Sequence, residues 1–118
     1  MIGIRDDFKV FIATQPVDFR SGINRLAALV VQVLAADPYE GSVFVFRPKR
    51  SLNRLKLIHW DGSGMILVTK WLEAGRFVWP PVRDGAVRLT AAQMSLLIAG
   101  LDWTRLVDKP VKRPTLAG

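Results

Sequence analysis

The stretch from Val43 to Met65 constrains the fold of this chain more than any other. It begins as an apolar segment, continues through five closely spaced cations, and closes on the two glycines of Asp61-Gly62-Ser63-Gly64. Glycine supplies the positive φ that a tight hairpin turn needs, so the sequence predicts paired strands on either side of this turn. The cations are Arg47, Lys49, Arg50, Arg54 and Lys56, with no acid between Glu40 and Asp61. We therefore expect a basic loop whose ends are held by strands.

Positive charge is unevenly distributed along the 118 residues. The chain carries 17 Lys and Arg against 10 Asp and Glu, a formal net charge of +7. Residues 1–40 hold four cations and five acids, so the rest of the chain must carry +8. Clustered positive charge attracts polyanions, and Arg and Lys contact phosphate without reading sequence. Nucleic acid is therefore the expected partner, and charge that serves solubility alone is the alternative.

Composition excludes several classes of protein. Half of the residues are hydrophobic, which suffices for one domain with a real core. The absence of cysteine excludes a disulfide framework and a thiolate metal site. No apolar run approaches the roughly 20 residues of a membrane span. Asp6, Asp7 and Lys9 also interrupt any signal-peptide core. We expect a cytoplasmic protein with no cofactor and no membrane partner.

The hydrophobic pattern predicts six short strands and two helices. β-Branched and aromatic residues mark strands at 8–13, 42–46, 55–60, 65–72, 77–79 and 86–89. Apolar residues at three- and four-residue steps predict a helix from Ile23 to Leu34, with Asp18 or Ser21 as its N-cap. Thr90 and Gln93 have capping-box spacing at the start of a second helix, which ends at Gly100.

The order of these elements predicts the fold class. Several consecutive strands without intervening helices indicate an α+β domain, a mostly antiparallel sheet of about five to six short strands with two helices packed on it. The hairpin from Leu55 to Leu72 has the longest apolar strands and is expected at the centre of the sheet. We assign residues 1–103 to this single domain. Residues 104–118, with two prolines and four cations, are predicted to be a flexible basic tail.

Three ordered segments resemble the motifs of a known family. Val17–Ile23 is similar to a (T)DMRKG-type motif, Phe44–Arg47 with Arg54–Asp61 to an FVFR…RLKIL-W-D motif, and Leu72–Pro80 to LE-GRF-WP. From about Val10 to Trp103 the chain thereby resembles the TnpB or Orf2-like accessory protein of IS66-family bacterial insertion sequences, which is not the RNA-guided nuclease of the same name. The resemblance implies a role in transposition beside a separate transposase, and it carries no catalytic residues over.

The chain departs from the family pattern at five positions. Phe19 stands for the usual methionine, and Ser21 stands for a usual lysine, so one cation of that motif is missing. Asn24 and Asn53 stand where acids are common, and Trp71 where a basic residue is usual. If positions 21 and 71 contact DNA in relatives, those contacts are weakened here.

Two hypotheses of different classes follow. The first is a non-catalytic accessory factor that binds transposon-end DNA through its phosphates. Its candidate residues are Arg47, Lys49, Arg50, Arg54, Lys56 and Arg76. The second is a protein–protein adaptor that docks on the transposase or on another copy of itself, without direct DNA binding. The apolar composition and the four tryptophans favour this second hypothesis.

An enzyme is the disfavoured class. Metal-assisted strand transfer needs converging carboxylates, whereas the acids here are few and scattered. Nucleophilic catalysis lacks a cysteine and has only His59 as an imidazole base. A lone histidine inside a predicted strand is more often a hydrogen-bonded structural residue. Asp61 is most simply a turn residue, and Asp18 and Arg20 are expected to pair with each other or cap the helix.

Overall fold

Five strands and two helices form the part of the chain that the computed structural model describes, residues 8–83 and 85–105. They are β1 (Val10–Ala13), α1 (Ile23–Leu34), β2 (Val43–Phe46), β3 (Arg54–Trp60), β4 (Met65–Trp71), β5 (Ala86–Leu89) and α2 (Ala91–Ile98). Three of the four strand pairs are antiparallel, and β1 with β2 is parallel. The α+β prediction is therefore confirmed, with five strands and two helices.

The sheet has the strand order β4-β3-β2-β1-β5. The expectation that the hairpin of β3 and β4 would lie at the centre is wrong, because β4 is an edge strand and β2 is central. Every residue of β2 is buried, as a strand covered on both faces requires. α1 connects the parallel strands β1 and β2. The hairpin of β3 and β4 pairs with the free side of β2, so it lies at one edge of the sheet.

Side chains of alternate β2 and β3 residues enter two cores, one on each face of the sheet. On the first face, Phe44, Phe46 and Ile58 pack with the apolar side of α1. On the second face, the strands contact α2: this core includes Val43, Val45, Leu55, Leu57, Met94 and Leu97. Burying one such side chain is worth roughly 1.5–3 kcal/mol. The two cores therefore fix which residues of each strand face α1 and which face α2.

The helix ends show where local sequence signals hold. Thr90 and Gln93 form the predicted capping box: the Gln93 N–H donates to Thr90 Oγ1 at 3.1 Å, and the Thr90 N–H donates to Gln93 Oε1 at 2.9 Å. The predicted caps of α1 are wrong, because its N-cap is Gly22 and no side chain caps it. Asp18 instead accepts a hydrogen bond from the Arg20 N–H, which fixes the bend before the helix.

The predicted strand at 77–79 is also wrong, since these residues pair with no strand of the described sheet. The Phe77 N–H donates to Leu52 O at 2.8 Å, and the buried Phe77 ring packs into the core on the α2 face. The indole N–H of Trp103 donates to Val78 O at 2.7 Å. Pro80 and Pro81 follow at once and cannot join a ladder, so this segment covers the sheet instead of extending it.

The predicted tail lies outside the described residues except for Thr104 and Arg105. The Thr104 N–H donates to Asp102 Oδ1 at 3.0 Å, and Arg105 Nε lies 3.3 Å from Asp102 Oδ2. The hydrogen bonds from the Thr104 hydroxyl and N–H lower the pKa of Asp102. The division into a domain and a tail stays a prediction.

Candidate nucleic-acid interface

Two backbone hydrogen bonds hold the first family-like motif against the turn after β2. The Val17 N–H donates to Arg47 O at 2.8 Å, and the Lys49 N–H donates to Val17 O at 2.9 Å. Val17 and Pro48 thus form an isolated parallel bridge. This bridge brings two segments that are distant in sequence, residues 17–21 and 47–54, to one place on the surface.

The Phe19 ring contacts two cations of β3, Arg54 and Lys56. The Cζ atom of Arg54 is 4.6 Å from the centroid of the Phe19 ring, and Lys56 Nζ is 4.8 Å from it. Arg54 also lies 4.8 Å from the ring of Trp71, its partner across the β3–β4 pair. Cations at such distances over aromatic faces are attracted to them. Arg54 is therefore ordered by two rings, although Trp71 itself is 62 % exposed.

Lys56 belongs to the strand predicted at 55–60, and its inclusion among the cations of a solvated loop is wrong. It lies within β3 and is only 8 % exposed. Its ammonium donates a hydrogen bond to Ser21 O at 2.8 Å, and the Phe19 ring lies over it. A buried cation needs such partners because burial removes its water. Lys56 therefore fastens the start of α1 to the sheet, and Arg54 is likewise a strand residue.

Four exposed or half-exposed cations surround Phe19, and we call this surface the basic cleft. One hollow of about 430 Å³ lies along Phe19, Arg20, Lys49 and Arg50. An adjoining one of about 320 Å³ continues past Arg50 to Arg54. The basic cleft therefore consists of Phe19, Arg20, Lys49, Arg50 and Arg54. Lys49 and Arg50 are exposed, so the surface combines reachable charge with an aromatic floor.

Asp18 is the acid that lines the basic cleft. Its Oδ2 lies 3.3 Å from Arg20 Nη2, and both side chains are largely exposed. The hydrogen bonds from the Arg20 side chain and backbone lower the pKa of Asp18, so its carboxylate stays ionised at neutral pH. The predicted Asp18–Arg20 pair is therefore present. Within the described ranges, Lys49, Arg50 and Arg54 form no ion pair, and their charge is available to an anion.

Arg47 lies on the other face of the sheet. Because Phe46 faces α1, the next residue along the strand direction faces α2, and Arg47 Cζ lies 5.8 Å from the ring of Trp79. Its Nε atom is buried with no hydrogen-bond partner among the described residues. The sequence could not show this, since all five cations are close along the chain. The structure brings together Lys49, Arg50 and Arg54, places Arg47 on the other face, and buries Lys56 under the Phe19 ring beside Arg54.

Arg76 is exposed beside the turn at residues 51–53. The hydrogen bond from the Phe77 N–H to Leu52 O fixes the backbone next to it, but Arg76 lines neither hollow of the basic cleft. Arg20 is the cation that the candidate set missed. Arg20 belongs to the Val17–Ile23 motif, which was recognised in the sequence. Because this motif pairs with the turn after β2, Arg20 lies beside Lys49 and Arg50. A nucleic-acid-binding role stays a prediction for all of these residues.

His59 and Asp61 have the structural positions expected from the sequence. His59 is buried, and its ring centroid lies 4.8 Å from that of Phe8. Its Nδ1 has no hydrogen-bond partner among the described residues, so the hydrogen bond expected for a structural histidine is absent at this atom, and the Phe8 ring packs against the imidazole. Asp61 Oδ1 accepts hydrogen bonds from the Ser63 and Gly64 N–H groups, each at 2.9 Å. These bonds lower the pKa of Asp61 and shape the turn between β3 and β4.

Neither a metal site nor a membrane span is found in the described part of the chain. Residues 8–83 and 85–105 contain no group of three or more His, Asp or Glu side chains placed to hold a metal ion. Within the same ranges, no helix has both the length and the hydrophobicity to cross a bilayer.

The fold and this surface define a class: a small α+β domain with one helix on each face of its sheet and a basic cleft beside β3. A model of the IS66 Orf2-like protein family matches residues 8–108, and the chain belongs to that family. The resemblance noted from the three motifs is thus confirmed. Membership supports a role as an accessory protein of IS66 elements in transposition, which is consistent with a non-enzyme.

Two relatives come from Sinorhizobium fredii (strain NBRC 101917 / NGR234). Uncharacterized protein y4jC is 61 % identical over 115 residues, covering 98 % of this chain and 97 % of the relative. Uncharacterized protein y4hO is 42 % identical over 118 residues, covering all of both chains. No solved structure matches the chain.

Proposed function

We propose that this protein binds DNA directly through the basic cleft and acts in transposition beside a separate transposase. The observation that carries the proposal is the position of Arg54. Its guanidinium lies over the rings of both Phe19 and Trp71 and forms no ion pair within the described ranges. The rings attract the cation without using its N–H donors, which stay available for a phosphate oxygen.

The proposed contacts are to phosphate and not to bases. Lys49 and Arg50 are exposed on a turn, and Arg54 on the neighbouring strand is already ordered, so less side-chain freedom is lost on binding. Phosphate contacts fix the position of a protein on DNA but carry no sequence information directly. The proposed role is therefore that of a non-catalytic factor that holds the DNA of the element, its ends included.

A salt titration with charge-matched variants tests this proposal. The test variant is Lys49→Ala with Arg50→Ala. The control is Lys9→Ala with Arg88→Ala, which removes two exposed cations near β1 and on β5. Affinity for a duplex carrying an element end, and for an unrelated duplex, is measured by fluorescence anisotropy over a range of salt concentrations. Each lost phosphate contact lowers the slope of log affinity against log salt by about 0.9.

The two variants should behave differently. We expect the test variant to lose about 1.8 from the salt slope on both duplexes, while the control keeps the wild-type slope. Between 50 and 200 mM salt, that difference means the wild type loses roughly tenfold more affinity than the test variant. Stability should change little, because solvated charges contribute little to it. Equal slopes for the wild type and the test variant would refute the basic cleft as the binding surface.

The second candidate function is a protein–protein adaptor. It is supported by Val31 and Val33, which are 54 % and 48 % exposed on α1. Residues two apart point to different sides of a helix, so these valines lie on the two flanks of the buried face and widen the apolar area open to a partner. On this alternative the protein shows no salt-dependent DNA binding, and Val31→Ser with Val33→Ser abolishes co-purification with the transposase. Loss of DNA affinity only in the Lys49 and Arg50 variant supports the first function.

A further inference from the structure

Among residues 8–83 and 85–105, nothing pairs with the backbone groups along the outer edge of β4. β4 pairs with β3 on one side and has no strand of the described sheet on the other. The hydrogen bonds Leu72 N–H to Asn53 O and Asp61 N–H to Gly64 O fix the alternation along this hairpin. Antiparallel residues alternate between hydrogen-bonded and non-hydrogen-bonded pairs. The residues whose N–H and C=O groups point away from β3 are therefore Met65, Leu67, Thr69 and Trp71.

The devices that normally protect an edge strand are missing from β4. All seven residues pair with β3 in unbroken register, so the strand has neither a bulge nor a proline, and its first four residues are apolar. Lys70 is its one charge, and the Lys70 ammonium is drawn to Ile98 O at 2.7 Å. The opposite edge, β5, has only four residues and an exposed arginine. A long, regular, apolar edge is a template for another strand.

We propose that β4 pairs antiparallel with β4 of a second copy of this chain, about a two-fold axis at Val68. This register pairs all seven residues of the strand, which no other register does. It places Leu67 opposite Thr69 of the second copy and Met65 opposite Trp71 of the second copy. Each outward backbone group then meets an outward group, as a hydrogen-bonded pair requires. The result is one ten-stranded sheet.

The chemistry of the strand favours a second copy over a foreign strand. Met65 opposite Trp71 places a thioether at an aromatic ring, a favourable contact. Lys70 faces Ile66 and not another cation, so no like charges oppose each other across the pair. The antiparallel arrangement also puts the Asp61 turn of one copy at the same end as Arg54 of the other. By strand spacing and rise per residue their backbones would be about 15 Å apart, so the opposite charges lie at the same end of the pair without forming an ion pair.

The pairing of two β4 strands does not depend on the proposed function. Its consequence for DNA binding by the basic cleft does rest on the proposed function. A two-fold axis perpendicular to a sheet keeps the same faces on the same side, so the two basic clefts would face one way. From the strand spacing and the rise per residue, the two Arg54 backbones would be about 25 Å apart, before sheet twist. One DNA molecule could then contact both clefts.

The absence of cysteine from the chain allows a clean test. Val68→Cys places two thiols at the two-fold axis in a non-hydrogen-bonded pair, whose Cα separation of about 4.5 Å suits a disulfide. Thr69→Cys is the register control. Position 69 of one copy faces position 67 of the other, so the two cysteines would be diagonal neighbours with Cα atoms about 7–8 Å apart. Arg88→Cys is the control for an exposed thiol on the other edge. Under mild oxidation we expect rapid dimer crosslinking for Val68→Cys and at least tenfold slower crosslinking for both controls.

A second measurement uses the mass in solution by analytical ultracentrifugation. The wild type should sediment as a dimer, and Thr69→Pro as a monomer with unchanged circular dichroism, because proline removes an outward N–H that β3 does not use. A monomeric wild type at about 100 μM, near the weak end of specific association, would refute the proposal, as would equal crosslinking in all three cysteine variants. A wild-type monomer that captures a foreign strand through β4 would also refute it. If the wild type is a monomer that still binds DNA with the expected salt dependence, the pairing is refuted and the proposed function is retained.

Discussion

Replacing Phe19 by methionine tests how the basic cleft is ordered, without changing any charge. Methionine is the residue that the family pattern usually has at this position, and it keeps an apolar cover over Lys56. The variant loses the ring that lies 4.6 Å from Arg54 and 4.8 Å from Lys56. A cation–π contact is worth about 0.5–1 kcal/mol for a half-exposed cation such as Arg54 and about 2 kcal/mol for a desolvated one such as Lys56. We therefore expect the free energy of unfolding in urea to fall by about 2–3 kcal/mol.

DNA affinity should fall for a separate reason. With one ring removed, Arg54 regains rotamer freedom that binding must then remove, which costs about 0.5–1.5 kcal/mol for a long side chain. Trp71 still contacts the guanidinium, so we expect the lower part of that range, a two- to fivefold weaker affinity. The salt slope should stay at the wild-type value, because the number of phosphate contacts is unchanged.

Arg54→Ala provides the contrast, since it should lower the salt slope by about 0.9 in the same anisotropy titration. If Phe19→Met lowers the slope as much as Arg54→Ala does, the ring does not act by ordering a cation. If it leaves both affinity and stability at wild-type values, the contact between Phe19 and the two cations has no energetic role.

Three further substitutions test the fold. Thr90→Ala should lower the free energy of unfolding by about 1 kcal/mol through loss of the capping box, measured in urea beside Ser95→Ala as an exposed helix control. Trp103→Phe should cost about 1–3 kcal/mol, because Val78 O loses its donor, and a wild-type midpoint would contradict this. Asp61→Ala should destabilise the hairpin at neutral pH. The pKa of Asp61 is lowered by folding, so its contribution is present above the ordinary carboxyl pKa of about 3.9 and is lost as pH falls through the lowered value. The difference between wild type and variant should therefore vanish in acid, and a constant difference would refute the argument.

Much of this fold follows from local sequence patterns. The capping box at Thr90, the apolar period of α1 and the glycine turn after Asp61 each have a physical cause within a few residues. The position of β2 at the centre of the sheet was also signalled, because Val43 to Phe46 is apolar without alternation, as a strand covered on both faces requires. Strand length was the wrong guide, since β4 is long and yet lies at the edge.

The candidate site was less predictable, because its composition depends on tertiary contacts. Strand alternation sends Arg47 and Arg54 to opposite faces of the sheet, although both lie in one basic stretch. The burial of Lys56 depends on Ser21 and Phe19, which lie more than 30 residues away. The segment at 77–79 has the composition of a strand, but Pro80 and the hydrogen bond to Leu52 O make it a cover. Residues that are close in sequence were therefore expected to lie together on one surface, and strand alternation and burial separate them.

The pairing of β1 with β5 determines when the sheet can be completed during folding. Ala13 faces Ala86 and Val10 faces Leu89, across about 70 residues of chain. The β3–β4 hairpin closes over only the few residues of its turn. Loop-closure entropy makes the longer closure roughly 2 kcal/mol more costly, so we expect the hairpin to form early and β5 to dock late. Until β5 arrives, β1 is an open edge. A ribosome-bound chain that ends before Leu89 would therefore expose a strand that the finished protein never shows.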